Sequence, residues 1–140
     1  MPVYLGIDYG TKRIGLAWAD ELGISLPLES IPGVDLDICW KELVRVVGER
    51  KINEFVVGYP IQMDGKVGKR ANEVDFFINK LSETFELPVH KVDERLTTVA
   101  AVESLSLKPK GKNRGKFAEG RIDATAASLI LRDFLEQKGG

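Results

Sequence analysis

Hydrophobic and polar positions along the first thirty residues form the pattern of short β-strands. Three apolar or partly alternating runs, VYLGID (3–8), RIGLAWAD (13–20) and ISLPLESI (24–31), are separated by short turns. Strands joined by turns of this length pair with their neighbours in antiparallel order. The chain is therefore predicted to begin with an antiparallel meander of three strands.

Helical spacing of apolar residues begins after this meander. A first helix is predicted up to Arg50, with Asp35 or Asp37 as its N-cap. A short apolar run at 53–58 predicts a buried strand, and the turn-forming residues at 59–68 predict a loop. The apolar stripe of the first helix consists of Leu36, Trp40, Leu43, Val44 and Val47.

The second half of the chain is predicted to contain three helices and one strand. A helix ends before Pro88, a strand follows at 88–94, a helix begins after Thr97 or Thr98, and a final helix covers 121–138. The apolar stripe of the helix that ends before Pro88 consists of Val74, Phe77, Ile78, Leu81 and Phe85.

The order of these elements predicts an α/β fold. An antiparallel start is followed by strands connected through helices, which is typical of parallel crossovers. The expected architecture is a three-layer α/β/α domain with a mixed five-stranded sheet. A chain of 140 residues and 15.5 kDa fits one domain, so residues 1–140 are predicted to fold as a single unit.

Composition excludes several classes of protein. Hydrophobic residues at 44% and charged residues at 29% are close to globular averages, which argues against a disordered chain. The sequence has no secretion signal at its start and no run of about 18 apolar residues, so we expect a cytoplasmic protein without membrane contact. Cys39 has no second cysteine to pair with and is predicted to be a buried thiol.

The formal net charge of -1 hides an uneven distribution of charge. Residues 108–121 contain six basic residues and one acidic residue, whereas the rest of the chain is acidic overall. A basic loop of this kind binds phosphates through local charge. Because Gly111 and Gly115 interrupt the like-charged run, residues 108–117 are predicted to form a mobile loop.

Three acidic positions stand at the ends of predicted elements. Asp8 ends the first strand before a glycine turn, and Asp93 and Glu94 end the last strand. Asp123 lies near the start of the final helix, on the helical face that also contains Ala127, Ile130 and Phe134. Carboxylates brought together by the fold would form an oxygen site for Mg²⁺ or Mn²⁺, able to support phosphodiester hydrolysis. The alternative for Asp8 is a turn aspartate.

Four motifs resemble one known family. GIDYGTKRIGLA (6–17), VVGYPIQMDG (56–65), VDERLTT (92–98) and RIDATAA (121–127) occur in the order found in the YqgF or RuvX family of Holliday-junction-resolvase-like proteins. The resemblance implies an RNase H-like fold and an endonuclease that processes the 5′ end of precursor 16S rRNA. By matching motif, it implies that Asp8, Glu94 and Asp123 are the catalytic, metal-binding carboxylates.

The chain departs from related RNase H-like resolvases in one respect. Those proteins often have a second acid one helical turn from the last carboxylate, where this chain has Gly120, Ala126 and Ala127. Glu119 or Asp93 is a candidate for a fourth ligand, or the site holds one metal ion tightly and a second with the substrate.

Basic residues follow each acidic motif and are predicted to contact substrate phosphates. They follow the Asp8 turn, the loop at 59–68, and Glu94, and they fill the basic loop. The predicted substrate-binding set is Lys12, Arg13, Lys69, Arg70, Arg95, Lys110, Lys112, Arg114 and Lys116.

Three other functions compete with an RNA nuclease. GIDYGT also resembles the phosphate-binding turn of the actin, Hsp70 and sugar-kinase superfamily, but 140 residues provide no second domain to close a nucleotide cleft. A non-catalytic RNA-binding or transcription-associated factor is a second alternative, because the chain has no second acid at the positions one helical turn from Asp123 that Gly120, Ala126 and Ala127 occupy. A resolvase of branched DNA fits the resemblance, although resolvases usually need two facing active sites and we expect a monomer or weak dimer.

Overall fold

A computed structural model of the protein describes residues 2–10, 12–20, 22–28, 30–59, 68–93 and 116–139, with the backbone alone at 70, 93, 116–125 and 138–139. Strands and helices alternate after an all-β start. In chain order the elements are β1 (Tyr4–Asp8), β2 (Arg13–Ala19), β3 (Ser25–Pro27), β4 (Ile31–Pro32), α1 (Leu36–Arg50), β5 (Glu54–Tyr59), α2 (Lys69–Phe85), β6 (Val89–Asp93) and α3 (Lys116–Gly139).

β1 is the central strand of a mixed sheet with the order β3-β2-β1-β5-β6. β2 pairs antiparallel with β1 and β3 pairs antiparallel with β2, whereas β1, β5 and β6 are parallel to one another. α1 lies between β4 and β5 in the chain, and α2 lies between β5 and β6. The antiparallel start and the helical crossovers predicted from the sequence are confirmed.

The run at 24–31 was predicted to be one strand, and this is wrong. It contributes β3 and the first residue of the two-residue strand β4, and both strands pair with β2. Ala17 is opposite Pro27 and Ile14 is opposite Ile31, so the opposing segment has one more residue between these two pairs than β2 has. The described residues form six strands where five were predicted.

α1 and α2 cover one face of the sheet, where they pack on Leu5, Ile7 and Phe55. The Asp35 carboxylate accepts a hydrogen bond of 3.2 Å from the Ile38 amide, which confirms Asp35 as the N-cap of α1. The α2 stripe is confirmed, since its first four residues are buried and Phe85 packs against them.

The buried face of α1 differs from the predicted stripe. Cys39, Leu43 and Val46 are buried, whereas Leu36 and Val44 are more than half exposed. Seven of the ten residues from Ile38 to Val47 are apolar, so periodicity defines a broad stripe and does not fix which edge of it meets the sheet. The buried Cys39 thiol agrees with the prediction, and burial raises its pKa.

α3 covers the opposite face of the sheet, where Ala126, Ala127, Ile130 and Leu131 are buried. Gly6 allows this close approach: a Cβ atom placed on Gly6 would lie 2.9 Å from the Leu131 Cβ and 3.0 Å from the Ala127 carbonyl oxygen. The sheet therefore has helices on both faces, which makes the predicted three layers.

α3 begins at Lys116, five residues before the predicted start of the last helix at Arg121. The helix predicted after Thr97 or Thr98, and residues 108–115 of the basic loop, lie outside the described residues. Among the helices that the structure describes, none has the length and hydropathy required to cross a bilayer.

Candidate active site at the carboxyl edge of the sheet

Parallel strands place their carboxyl ends at one edge of the sheet. β1 ends at Asp8, β5 ends at Tyr59 and β6 ends at Asp93. The register pairs Gly6 with Val56 and Gly58 with Val92, so the three ends lie side by side. Ligands of α/β sheets commonly bind at this kind of edge.

Asp8 is buried at this edge, with 7% of its surface exposed. Among the residues whose side chains the structure describes, it is the only charged residue in the buried class. Alternation along β1 puts Tyr4, Gly6 and Asp8 on the face covered by α3, since Tyr4 packs with the α3 cluster. Burial of a carboxylate is costly unless hydrogen bonds or a cation compensate the charge.

α3 runs antiparallel to β1. Near the start of β1, the Tyr4 ring contacts the Phe134 ring with centroids 5.4 Å apart, while Gly6 faces Ala127 and Leu131. Two residues of strand span about 6.6 Å and four residues of helix span about 6 Å. Position 123, four residues before Ala127, is therefore level with the Asp8 end of the strand.

The turn after Asp8 is tightly folded. A Cβ atom on Gly10 would lie 2.5 Å from the Arg13 carbonyl oxygen, so only glycine fits without a shift of the backbone. The Lys12 carbonyl oxygen accepts a hydrogen bond of 2.9 Å from the Gly33 amide, which ties the turn to the segment after β4. Asp8 thus lies at the end of a strand that pairs antiparallel with β2, and Lys12 has an exposed side chain.

Tyr59, Asp75 and Lys91 form a polar cluster on the α2 side of the edge. The Tyr59 hydroxyl donates to Asp75 over 2.7 Å, Lys91 donates to the other Asp75 oxygen over 3.0 Å, and the Lys91 ammonium lies 4.6 Å from the centre of the Tyr59 ring. These hydrogen bonds lower the pKa of Asp75, and the bond to Asp75 raises the pKa of Tyr59. Tyr59 is therefore a packed residue of the edge.

His90 lies on the α3 face of β6 and makes structural contacts. Its Nε2 atom is 2.7 Å from a Glu54 carboxylate oxygen, and its ring centroid is 4.9 Å from that of Phe134. These contacts make His90 a structural residue that links β6 to β5 and α3.

A groove on the α2 side of the same edge was not predicted from the sequence. It has a volume of about 320 Å³ and is lined by Tyr9, Lys69, Asn72, Glu73 and Phe76. Its helical residues recur at i, i+3, i+4 and i+7, a spacing visible in the sequence. Because that stripe combines charged, amide and aromatic residues, apolar periodicity does not indicate a groove there.

Comparison with known families decides the assignment. The family model RuvX, described as Holliday junction resolvase, matches residues 2–137. The chain belongs to the RuvX family. The resemblance inferred from four motifs is thereby confirmed over nearly the whole chain.

Curated relatives of this RuvX-family chain are named "Putative pre-16S rRNA nuclease". The protein from Opitutus terrae is 43% identical over 135 residues, which cover 96% of this chain and 91% of the relative. The protein from a Picosynechococcus strain is 38% identical over 135 residues, with coverages of 96% and 92%.

Solved structures confirm the RNase H-like fold. Thermus thermophilus RuvC in complex with a Holliday junction substrate has a TM-score of 0.56 and 14% identity, covering 99% of this chain and 97% of that one. Fowlpox virus resolvase, in complex with Holliday junction DNA, has a TM-score of 0.53 and 14% identity, with coverages of 97% and 98%.

The three carboxylates that the sequence predicts as metal ligands are described to different extents. Asp8 is seen in full, Asp123 is seen as backbone within α3, and Glu94 follows directly after β6, outside the described residues. Within the side chains that are described, no three His, Cys, Asp or Glu residues come together as a metal site. Because two of the three predicted ligands are not among those side chains, the metal set stays a prediction.

The predicted phosphate-binding residues that are described lie at the Asp8 end of the molecule. Lys12 and Arg13 belong to the turn after β1, Lys69 begins α2 directly after the loop that leaves β5, and Lys116 begins α3. Arg70 and Lys116 are described by backbone alone. The remaining members of the predicted set, Arg95, Lys110, Lys112 and Arg114, lie outside the described residues.

Proposed function

We propose that this RuvX-family nuclease is a divalent-metal-dependent endonuclease whose catalytic carboxylates are Asp8, Glu94 and Asp123. The observation that supports it most strongly is the burial of Asp8 at the carboxyl end of the central strand, on the face covered by α3. Position 123 of α3 is level with this end of β1 by the contacts of Gly6 and Tyr4.

Alternation along β6 favours Glu94 over Asp93 as the ligand. His90 contacts Phe134 of α3, and Val92 packs in the same cluster as α3. Lys91 points to the other face, where it binds Asp75 of α2. Side chains two residues apart in a strand lie on the same face. If β6 continued to residue 94, Glu94 would therefore lie on the face of Val92 and Asp8, and Asp93 would lie on the face of Lys91.

Glu119 is the better candidate for a fourth ligand. The early start of α3 at Lys116 makes Glu119 a helical residue four positions before Asp123. Residues four apart lie on one face of a helix, one turn from each other. Positions 119 and 123 therefore lie on one face of α3, one helical turn apart.

The donor set fits Mg²⁺ or Mn²⁺, which prefer carboxylate oxygens. When bound, such an ion lowers the pKa of water and offsets negative charge that develops on the reacting phosphate. The protein's own contribution is to hold the carboxylates on a rigid strand and helix, because the Gly10 turn and the Gly6 contact fix both elements. Lys12 and Lys69 bind flanking phosphates and orient the substrate strand.

The proposed substrate is the 5′ flank of precursor 16S rRNA, because the curated relatives are named for pre-16S rRNA. The corresponding proposal for the cell is a role in ribosome biogenesis in the cytoplasm. The test compares Glu94→Gln with its neighbour Asp93→Asn on a labelled RNA of this region, with Mg²⁺, Mn²⁺ or chelator. We expect metal-dependent cleavage that Glu94→Gln reduces at least about 100-fold and that Asp93→Asn retains. Equal loss in both variants, or cleavage in chelator, contradicts the proposed ligand set.

A second candidate function is cleavage of branched DNA, because the family model is described as a Holliday junction resolvase. Paired incision needs two active sites, so this function requires a dimer. We propose a monomer or weak dimer acting on RNA. A stable dimer that cuts a four-way junction and leaves the rRNA flank intact would support the resolvase. RNA binding without any cleavage would support the non-catalytic factor.

A further inference from the structure

We propose that the groove lined by Tyr9 and α2 binds one unpaired nucleobase of the substrate strand beside the cleaved phosphate. This inference rests on the proposed nuclease function, since that function supplies the nucleic acid strand. The groove is formed by Lys69, Asn72, Glu73 and Phe76 from one stripe of α2, with the Tyr9 ring facing them. Its volume of about 320 Å³ lies at the lower end of the range for small-ligand pockets, which suits one base.

Two aromatic rings make the groove suitable for stacking. The Tyr9 ring packs on the buried Phe77 ring, with centroids 4.6 Å apart and planes 30° apart. This contact holds the Tyr9 ring in place. Phe76 is 73% exposed, although its neighbour Phe77 is buried. A single exposed apolar residue is common, but this one lines a groove together with a second ring. Stacking between aromatic side chains is the usual way in which proteins hold unpaired bases.

The polar residues of the groove match the edges of a base better than a phosphate. Asn72 offers both donors and an acceptor, and Glu73 accepts hydrogen bonds from exocyclic amines while repelling phosphate. Burial, together with Glu73 and Cys39, raises the pKa of the Tyr9 hydroxyl, so that hydroxyl is protonated at neutral pH. A nucleobase therefore satisfies this combination of rings, amide and carboxylate, while Lys69 at the start of α2 can bind a phosphate next to that base.

The groove is placed to receive a base adjacent to the phosphate that reacts at the proposed carboxylate site of Asp8. Asp8 and Tyr9 are consecutive, with Cα atoms about 3.8 Å apart, and Asp8 faces α3 whereas Tyr9 packs on Phe77 of α2. Lys69 begins α2 seven residues before Phe76, about 10 Å further along the helix axis. A strand that crosses the sheet edge thus meets the carboxylate, the base groove and an exposed cation in succession.

The test uses the full-length protein in chelator, so that binding is measured without cleavage. The probe is a short oligouridine RNA that contains a single 2-aminopurine, whose fluorescence falls when the base stacks. We expect the wild-type protein to quench the probe, and Phe76→Ala to weaken binding about 5- to 100-fold and to abolish quenching. Phe76→Trp keeps both signals, and Val44→Ala, an exposed apolar position on α1, changes neither.

An abasic version of the same RNA provides the second arm. Wild type and Phe76→Ala should bind it equally, because the group that contacts Phe76 is missing. Two results would overturn the proposed base-binding role of the groove. One is unchanged binding of the 2-aminopurine probe by Phe76→Ala, and the other is an equal loss of affinity for the abasic RNA. Cleavage of the rRNA flank by wild type is measured separately. Quenching of the probe without cleavage of the rRNA flank contradicts the proposed nuclease function and supports base binding in the groove. Cleavage by wild type, together with unchanged probe binding by Phe76→Ala, contradicts base binding in the groove alone.

Discussion

Replacement of Gly6 by alanine tests how closely α3 must approach the sheet. The added Cβ atom would lie 2.9 Å from the Leu131 Cβ, whereas carbon atoms pack best at about 3.5–4.0 Å. The helix must therefore move by about 0.6 Å or more, the difference between these distances. The second contact, at 3.0 Å, is to the Ala127 carbonyl oxygen, which is backbone and cannot rotate away.

We expect Gly6→Ala to lower the free energy of unfolding by about 1–3 kcal/mol, the usual cost of overpacking a core. Because α3 also positions Asp123 in the proposed site, we expect RNA cleavage to fall by about 10- to 100-fold. Urea denaturation followed by circular dichroism measures the first effect. Single-turnover cleavage measures the second under conditions in which the variant is fully folded.

Gly48→Ala is the matched control, because a Cβ atom at this exposed position of α1 has no neighbour within 4 Å. The same chemical change should here stabilise the protein by about 0.5–1 kcal/mol, since alanine favours a helix. If Gly6→Ala were as stable as wild type, or if both variants changed stability in the same direction, the inferred contact between α3 and β1 would be refuted.

Two further predictions concern titratable groups away from the carboxylate site. Asp75→Asn should lower the free energy of unfolding by up to about 1 kcal/mol at pH 7. Because the pKa of Asp75 is lower in the folded state, this difference should be complete above pH 3.8, the ordinary value, and should disappear as the pH falls through the lower pKa of the folded state. A difference that persists in acid, in paired denaturation curves, would contradict the role of the ionised carboxylate. Cys39 is 1% exposed with a raised pKa, so in the folded protein it should react with a water-soluble thiol reagent far more slowly than in denaturant. Rapid labelling of the native protein would contradict this.

The strands and helices were predictable where one period dominates. The α2 stripe from Val74 to Phe85 was predicted, and Asp35 was one of the two predicted caps of α1, because each depends on local spacing and chemistry. The split of the third strand was not predicted. Its cause is register, since β2 pairs with both halves and only the paired structure reveals the extra residue. Local sequence contains no direct record of such pairing.

The candidate site was predictable in part for the same physical reason. Asp8 was proposed as a site residue because it ends an apolar strand before a glycine turn, and the structure buries it at the carboxyl end of that strand. The choice between Asp93 and Glu94 required the contacts of their neighbours, because alternation alone does not show which face meets α3. Tyr9 and Phe76 were missed, since they come together only when α2 packs against the end of β1.

The central claim is that Asp8 belongs to a metal-dependent active site for RNA. The most direct measurement is cleavage of a labelled RNA with the 5′ flank of 16S rRNA, beside a four-way DNA junction, by wild type and Asp8→Asn with Mg²⁺, Mn²⁺ or chelator. The account predicts cleavage of the RNA by wild type with either metal, no cleavage in chelator, and loss of cleavage in a folded Asp8→Asn variant. Cleavage that survives Asp8→Asn, or RNA that both proteins bind and neither cuts, would contradict it.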